Sequence, residues 1–127
     1  AQADGVSLRR YSVERLARLF PSWQAVIKGE SFGFCFENDE EESVTNLTIA
    51  ARDRDGLFSD LSGVLALTGA NIVSARIMTR QDGIVIDRFT IQDEKQRPFS
   101  EIRRQERIRQ RLHQVPHSWW GRLRQTD

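Results

Sequence analysis

The sequence contains few of the residues on which cross-links, metal sites and membrane spans depend. Its 127 residues include one cysteine, two histidines and three prolines. A lone cysteine, Cys35, excludes a disulfide within the chain and is typical of a reducing compartment, so we expect a cytoplasmic location. No apolar run approaches the roughly 20 residues that a membrane-spanning helix requires, so no membrane partner is predicted.

The scarcity of histidine limits the chemistry that the chain can support. His113 and His117 are spaced like metal ligands on a helix, but Pro116 interrupts that helix and no third ligand is evident. Two histidines near the end of the chain give no recognisable Ser-His-Asp triad. Cys35 has no histidine or basic residue near it in sequence that would activate its thiol. We therefore expect no metal, no cofactor and no catalytic residue in this chain.

Charged residues, by contrast, are abundant and nearly balanced. The chain has 19 Lys and Arg against 18 Asp and Glu, with 39% hydrophobic residues, as expected for a soluble globular domain. Residues 37–42 are acidic, whereas residues 97–111 are rich in arginine. A basic helix can contact nucleic acid or lipid headgroups, but a solvated face is the commoner explanation.

The chain divides into three predicted parts. Residues 1–29 form a helical lead-in from a preceding domain, residues 30–115 the main domain, and residues 116–127 a tail or linker. Ser12 is a candidate N-cap for the lead-in helix, and Pro21 should end or bend it. Its apolar stripe must dock on the main domain or on a second copy. The missing initiator methionine and the abrupt end lead us to expect a fragment of a longer protein.

Alternation with a period of two predicts a hairpin at the start of the main domain. Phe32, Phe34 and Phe36 alternate with small residues, which predicts a strand over residues 32–37 with three aromatic rings on one face. The return strand covers residues 44–51. An acidic, solvated turn connects the two strands.

A helix and a second hairpin follow. The helix begins near Leu57, carries apolar residues at helical spacing, and has Gly69 placed to end it in a left-handed conformation. An Asp-Gly pair at 82–83 predicts a tight turn into a strand over residues 84–92. Asp87 is the odd residue on the apolar face of that strand. It is either a carboxylate with satisfied hydrogen bonds or a group that faces a ligand.

A second helix is predicted over residues 100–114, after Pro98. Its apolar content is thin and comprises Phe99, Ile102, Ile108 and Leu112. It should therefore lie on the sheet with its arginines outward. Residues 118–127 lack the alternation of a further strand.

The turn before the first of these helices can hold a small zwitterion. The free N–H groups and the dipole of the helix favour a carboxylate, and Gly56 lets the backbone approach closely. Asp53 or the loop carbonyls could accept an ammonium group, and Asn71 can both donate and accept. The candidate ligand-binding residues are Asp53, Asp55, Gly56, Leu57, Phe58, Asn71 and Ile72. Alternatively, Asp53 or Asp55 only caps the helix, and Gly56 and Asn71 only shape turns.

These motifs together resemble an ACT domain, a small regulatory fold that binds amino acids in metabolic enzymes. The resemblance rests on the Asp-x-x-Gly-Leu-Phe turn at 53–58 and on Gly-Ala-Asn-Ile at 69–72. Residues 44–49, 71–77 and 79–89 further resemble the first of two C-terminal ACT domains in bifunctional uridylyltransferase/uridylyl-removing enzymes. The turn departs from the usual pattern, because Arg-Asp stands where Pro or His often precedes the glycine.

The resemblance implies an α+β, ferredoxin-like fold with the order β-α-β-β-α. A fourth strand normally lies beside the first, and we predict that the hairpin strand over residues 32–37 occupies that edge instead. The resemblance also implies a non-catalytic domain that senses glutamine and controls uridylylation and deuridylylation of the PII signalling protein. The parent enzyme would use Mg and UTP elsewhere. Implied partners are glutamine, a second ACT domain or homodimer, and PII through the parent enzyme.

Two other functions fit the same element order. A pairing module without a ligand would use edge strands and exposed aromatic residues such as Phe32, Phe34, Trp119 and Trp120. An RNA-binding ferredoxin-like domain would need aromatic residues on its two central strands to stack bases. Phe89 is the only such residue here and the neighbouring loop is acidic, so no nucleic acid is predicted.

Overall fold

The computed structural model describes residues 21–81 and 83–114. The predicted N-cap Ser12, and the tail with His117, Trp119 and Trp120, lie outside these residues. The described elements are α1 (21–27), β1 (Phe32–Asp39), β2 (Val44–Arg52), α2 (Leu57–Leu67), β3 (Asn71–Gln81), β4 (Ile84–Gln92) and α3 (Ile102–Gln114). None of the helices in this described part is long and apolar enough to cross a membrane.

The four strands form one antiparallel sheet in the order β1-β2-β4-β3. β2 pairs with β1 on one side and with β4 on the other, and β3 lies at the far edge. The elements β2-α2-β3-β4-α3 are the β-α-β-β-α unit of a ferredoxin-like fold. β1 therefore holds the edge that a strand after the second helix usually takes. The predicted fold class and the role of the hairpin strand are confirmed.

One face of the sheet forms the main core beneath α2 and α3. Period-two alternation brings apolar side chains of β2 and β4 to this face, where they meet the stripe of α2. The fully or nearly buried members are Leu47, Ile49, Val85, Phe89, Ile91, Leu57, Leu61, Val64 and Leu65. The prediction that Ile102 also packs here is wrong, since its side chain is 74% exposed. It lies in the first turn of α3, and Phe99 just before the helix fills the core instead.

The opposite face of the sheet is covered by α1. Val26 is fully buried there and Trp23 packs beside it, against a second apolar cluster of Ala50, Met78, Ile84 and Ile86. Gly33 of β1 permits this approach, because a Cβ at Gly33 would lie 2.6 Å from the Cα of Ser22. Residues 21–27 of the lead-in therefore pack on the domain, whereas the apolar stripe for which docking was predicted lies outside the described residues.

Candidate functional site

The turn between β2 and α2 leaves the start of the helix without a capping side chain. Gly56 occupies the N-cap with a left-handed φ of 77°, and no side-chain hydrogen bond caps the helix. Leu57 N–H donates to the Arg54 carbonyl (3.2 Å), and Asp60 N–H donates to the Gly56 carbonyl (2.9 Å). The alternative that Asp53 or Asp55 caps α2 is thus wrong. The positive end of the helix dipole faces the turn with no charged cap upon it.

Two ion pairs hold this turn in place. Arg80 Nε of β3 lies 3.0 Å from Asp53 Oδ2, and both side chains are partly exposed. Asp53 N–H also donates to the Gly83 carbonyl (2.9 Å), which ties the turn to the β3–β4 hairpin. On the other side, the Arg54 guanidinium lies 2.8 Å from the buried carboxylate of Asp60 in α2.

A groove of about 700 Å³ lies between this turn and the adjoining parts of β3 and β4. Its polar side is lined by Asp53, Arg54, Asp55, Arg80 and Asp87, and its apolar side by Leu57, Phe58, Ile77 and Val85. The Phe58 ring stacks on Phe89 with centroids 5.4 Å apart, which fixes the apolar wall. The volume falls within the range of about 300–1,000 Å³ that small-molecule sites occupy.

Asp87 is the most unusual residue of the groove. It pairs in register with Ile49 and Ile77, on the face that carries the main core, and is only 1% exposed. Its Oδ1 atom has no hydrogen-bond partner among the described residues. Burial raises the pKa of Asp87 from 3.8 to about 6, with Arg80 lowering it and Asp53 raising it. Of the two predicted roles, the geometry favours the ligand-facing group over the satisfied carboxylate.

The structure gathers some of the candidate ligand residues and separates the others. The members that line the groove are Asp53, Asp55, Gly56, Leu57 and Phe58. Asn71 pairs with Gln92, whereas Arg80 pairs with Val85 at the other end of β3. At about 3.3 Å per residue, roughly 30 Å separates Asn71 from Arg80. A single bound amino acid therefore cannot contact the groove and, in the same chain, also contact Asn71 or Ile72.

Sequence reasoning missed Arg80 and Ile77 as lining residues. The predicted turn at 82–83 is consistent with the pairing of Arg80 with Val85, but plain alternation along β3 would place Arg80 and Ile77 on opposite faces. The register shift between Ile77 and Thr79 brings both to the groove, and the sequence carries no signal of that shift. Asp87 did leave a signal, as a carboxylate on an otherwise apolar strand face.

A second group of predicted residues has a structural role under α3. The His113 ring makes edge contacts with Phe32 and Phe34, at centroid distances of 5.8 Å and 5.7 Å. Arg109 lies over Phe34 and Phe36. The three aromatic rings share one face as predicted, but α3 covers them. Phe32 and Phe34 are therefore half-buried and do not supply the exposed aromatic surface that would favour a pairing module.

Comparison with known proteins relates the chain to one kind of enzyme. No protein-family model matches the sequence. It is 42% identical over 76 residues to the bifunctional uridylyltransferase/uridylyl-removing enzyme of Erythrobacter litoralis, a match of 60% of this chain and 8% of that enzyme. The Nitrobacter winogradskyi enzyme of the same name is 44% identical over 89 residues (70% and 9%), and that of Azospirillum brasilense 51% over 55 residues (43% and 6%). The chain thus spans less than a tenth of the length of these curated relatives.

Proposed function

We propose that this chain is a regulatory ACT domain that binds an amino acid, glutamine, in the groove at the start of α2. Through this binding it controls uridylylation and deuridylylation of PII by a parent enzyme. Similarity to a segment of the bifunctional enzymes and the ferredoxin-like sheet order support the proposal. The observation that carries it is the groove, which joins an uncapped helix N-terminus to carboxylates and an apolar wall.

The groove offers a complementary surface for each part of a zwitterion. The N-terminus of α2 at Gly56 favours the ligand carboxylate, because its free N–H groups and dipole attract an anion. Asp53 at the rim favours the ammonium group. Phe58 and Ile77, which are 38% and 45% exposed, supply apolar contacts for the methylene groups of the side chain.

Regulation follows if glutamine binds one arrangement of the parent enzyme better than another. A coupling of about 1–3 kcal/mol would change its activities severalfold or more. Glutamine would favour removal of uridylyl groups from PII, and its scarcity would favour their addition. Both reactions, with Mg and UTP, would take place outside this chain. Asn71 and Ile72 would contact the ligand only from a second ACT domain or a second copy.

Titration of the whole chain with glutamine, followed by amide NMR, tests the proposal. We expect saturable shifts at residues 53–58, and none with glutamate, serine or phenylalanine. Asp53→Ala should weaken binding while the spectrum stays folded, and Glu94→Gln, which removes a carboxylate near the other end of β4, should not. An unshifted spectrum, both for the chain and for its mixture with a second ACT domain, would contradict glutamine sensing.

A pairing module without a ligand is the second candidate, favoured by the edge strand β3. Within the part of the chain that the structure describes, β3 pairs only with β4, and it carries two exposed apolar side chains, Val73 (53%) and Ile77 (45%). An edge strand of this kind readily adds a strand from another copy. Sedimentation of the chain and of a Val73→Lys variant separates the candidates. A dimer that the substitution dissociates, without any glutamine response, would establish pairing alone.

RNA binding gains no support from the sheet. Phe89, the one aromatic residue on the central strands β2 and β4, is fully buried and stacked with Phe58. Base stacking needs such a ring on an open sheet face. Here Trp23 and Val26 of α1 also pack on the part of the face opposite α2 that Ala50, Met78, Ile84 and Ile86 form.

A further inference from the structure

Asp87 is a buried carboxylate that the packing of the fold does not require. Its alternate neighbours along β4, Val85 and Phe89, are core residues, and so is its cross-strand partner Ile49. Its Oδ1 atom is buried without a hydrogen-bond partner among the described residues. A carboxylate in this setting destabilises a fold relative to an apolar residue of similar size. Such a group is typical of sites that receive a ligand.

The charges that line the groove neutralise Asp87 only in part, because Arg80 lowers its pKa but does not offset the effect of burial. Of the two cations, Arg54 is bonded to Asp60, and Arg80 is bonded to Asp53. The other lining charges, Asp53 and Asp55, are themselves acidic. Asp87 therefore faces a groove in which a further donor of positive charge is favoured, and a primary ammonium brings three hydrogen-bond donors.

We propose that Asp87, with Asp53 at the rim, forms the subsite for the ammonium group of an amino acid bound in the groove. The inference rests on the proposed function and assigns one residue in the sheet to one group of the ligand. Asp53 can exchange Arg80 for the ligand at small cost, because solvent screens an ion pair whose two side chains are both partly exposed. The subsite favours molecules that carry a protonated amine over otherwise similar acids that lack one.

The experiment compares two ligands on three proteins. The ligands are glutamine and glutaramic acid, which is glutamine without its amine, and the proteins are the wild-type chain, Asp87→Asn and Glu94→Gln. Calorimetry should show glutamine binding about ten- to a hundredfold weaker to Asp87→Asn, the value of a lost charge-assisted hydrogen bond. Glutaramic acid should bind the wild type and Asp87→Asn equally, because neither complex contains the carboxylate–ammonium contact. Glu94→Gln should match the wild type with both ligands.

Two results would overturn the subsite, and they differ from failure of the proposed function. Equal affinity of glutamine for wild type and Asp87→Asn would refute the role of Asp87 while leaving glutamine sensing intact. Failure of glutamine to bind the wild type would contradict the proposed function, and methylammonium then tests the subsite alone. Methylammonium should lower the apparent pKa of Asp87, read from its side-chain carboxyl carbon by NMR. If it leaves that pKa unchanged, the subsite does not exist.

Discussion

Without ligand, the free energy of unfolding of Asp87→Asn minus that of the wild type should be larger at neutral pH than at acid pH. The pKa of the carboxyl is raised from 3.8 to about 6 in the folded chain, chiefly by burial. Each pKa unit corresponds to about 1.4 kcal/mol between protonation states. Ionised Asp87 therefore lowers the free energy of unfolding by about 3 kcal/mol, a large part of the stability of a small domain.

The direction with pH follows from proton binding. Between about pH 4 and pH 6 the folded wild type binds more protons at Asp87 than the unfolded chain does. The contribution of this group to stability is therefore highest below its unfolded pKa and is lost as pH rises through its folded pKa. The amide that replaces the carboxyl in Asp87→Asn does not titrate, so the stability of the variant relative to wild type should rise by about 2 kcal/mol between about pH 4 and pH 7.5, most of the full difference.

Urea unfolding at the two pH values, monitored by circular dichroism, measures this change. The difference between proteins cancels the titration of shared groups and any constant cost of the asparagine amide. Glu94→Gln is the control for the loss of one carboxylate, and its difference from wild type should change in the opposite direction, because hydrogen bonds from its own backbone N–H and from Arg104 lower the pKa of Glu94. A stability difference between Asp87→Asn and wild type that is the same at both pH values would refute the reasoning. Ionisation of Asp87 would then have no effect on the free energy of unfolding.

Three further substitutions test the packing of the fold away from the groove. Gly33→Ala should destabilise the chain by about 1–3 kcal/mol, because its Cβ would overlap the backbone of Ser22. Faster proteolysis of residues 21–27 would show that the substitution displaces α1, and unchanged proteolysis would contradict the packing. Gly69→Ala should cost about 1–2 kcal/mol in thermal unfolding, because φ is +92° there, and no loss would mean that the helix end is not left-handed. Burial alone would raise the pKa of Asp93, but hydrogen bonds from the N–H groups of Arg97 and Lys95 outweigh it and lower that pKa. Asp93→Ala should thus cost about 1–3 kcal/mol at neutral pH, with a deficit that shrinks as pH falls through the lowered pKa; a pH-independent deficit in urea unfolding would contradict this.

Local sequence patterns predicted the helices and strands because the interactions that form them are local. The alternation of Phe32, Phe34 and Phe36 identified β1, and Gly69 lies just past the end of α2 with a φ of +92°. The position of β1 in the sheet could also be predicted, because a short turn leaves a hairpin strand few places to pair.

The residues that line the groove depend on the register between β3 and β4, which local sequence patterns do not predict. β3 shifts its pairing with β4 between Ile72 and Ser74 and again between Ile77 and Thr79. A shift of one residue moves a side chain to the other face of a sheet, so the position of Arg80 opposite Asp53 could not be read from alternation. Asn71 was grouped with the turn through its place in the motif, which carries no information on distance.

The placement of β1 also bears on the order in which the chain can fold during synthesis. A ferredoxin-like sheet closed by a C-terminal strand must wait for the last residues before its first strand gains a neighbour on that edge. Here β1 reaches β2 through residues 40–43, and the four strands found in residues 21–81 and 83–114 all precede α3. Nearby pairings of this kind close small loops and speed folding. On the ribosome, the sheet can therefore be complete before α3 emerges, and α3 docks onto a surface that already exists.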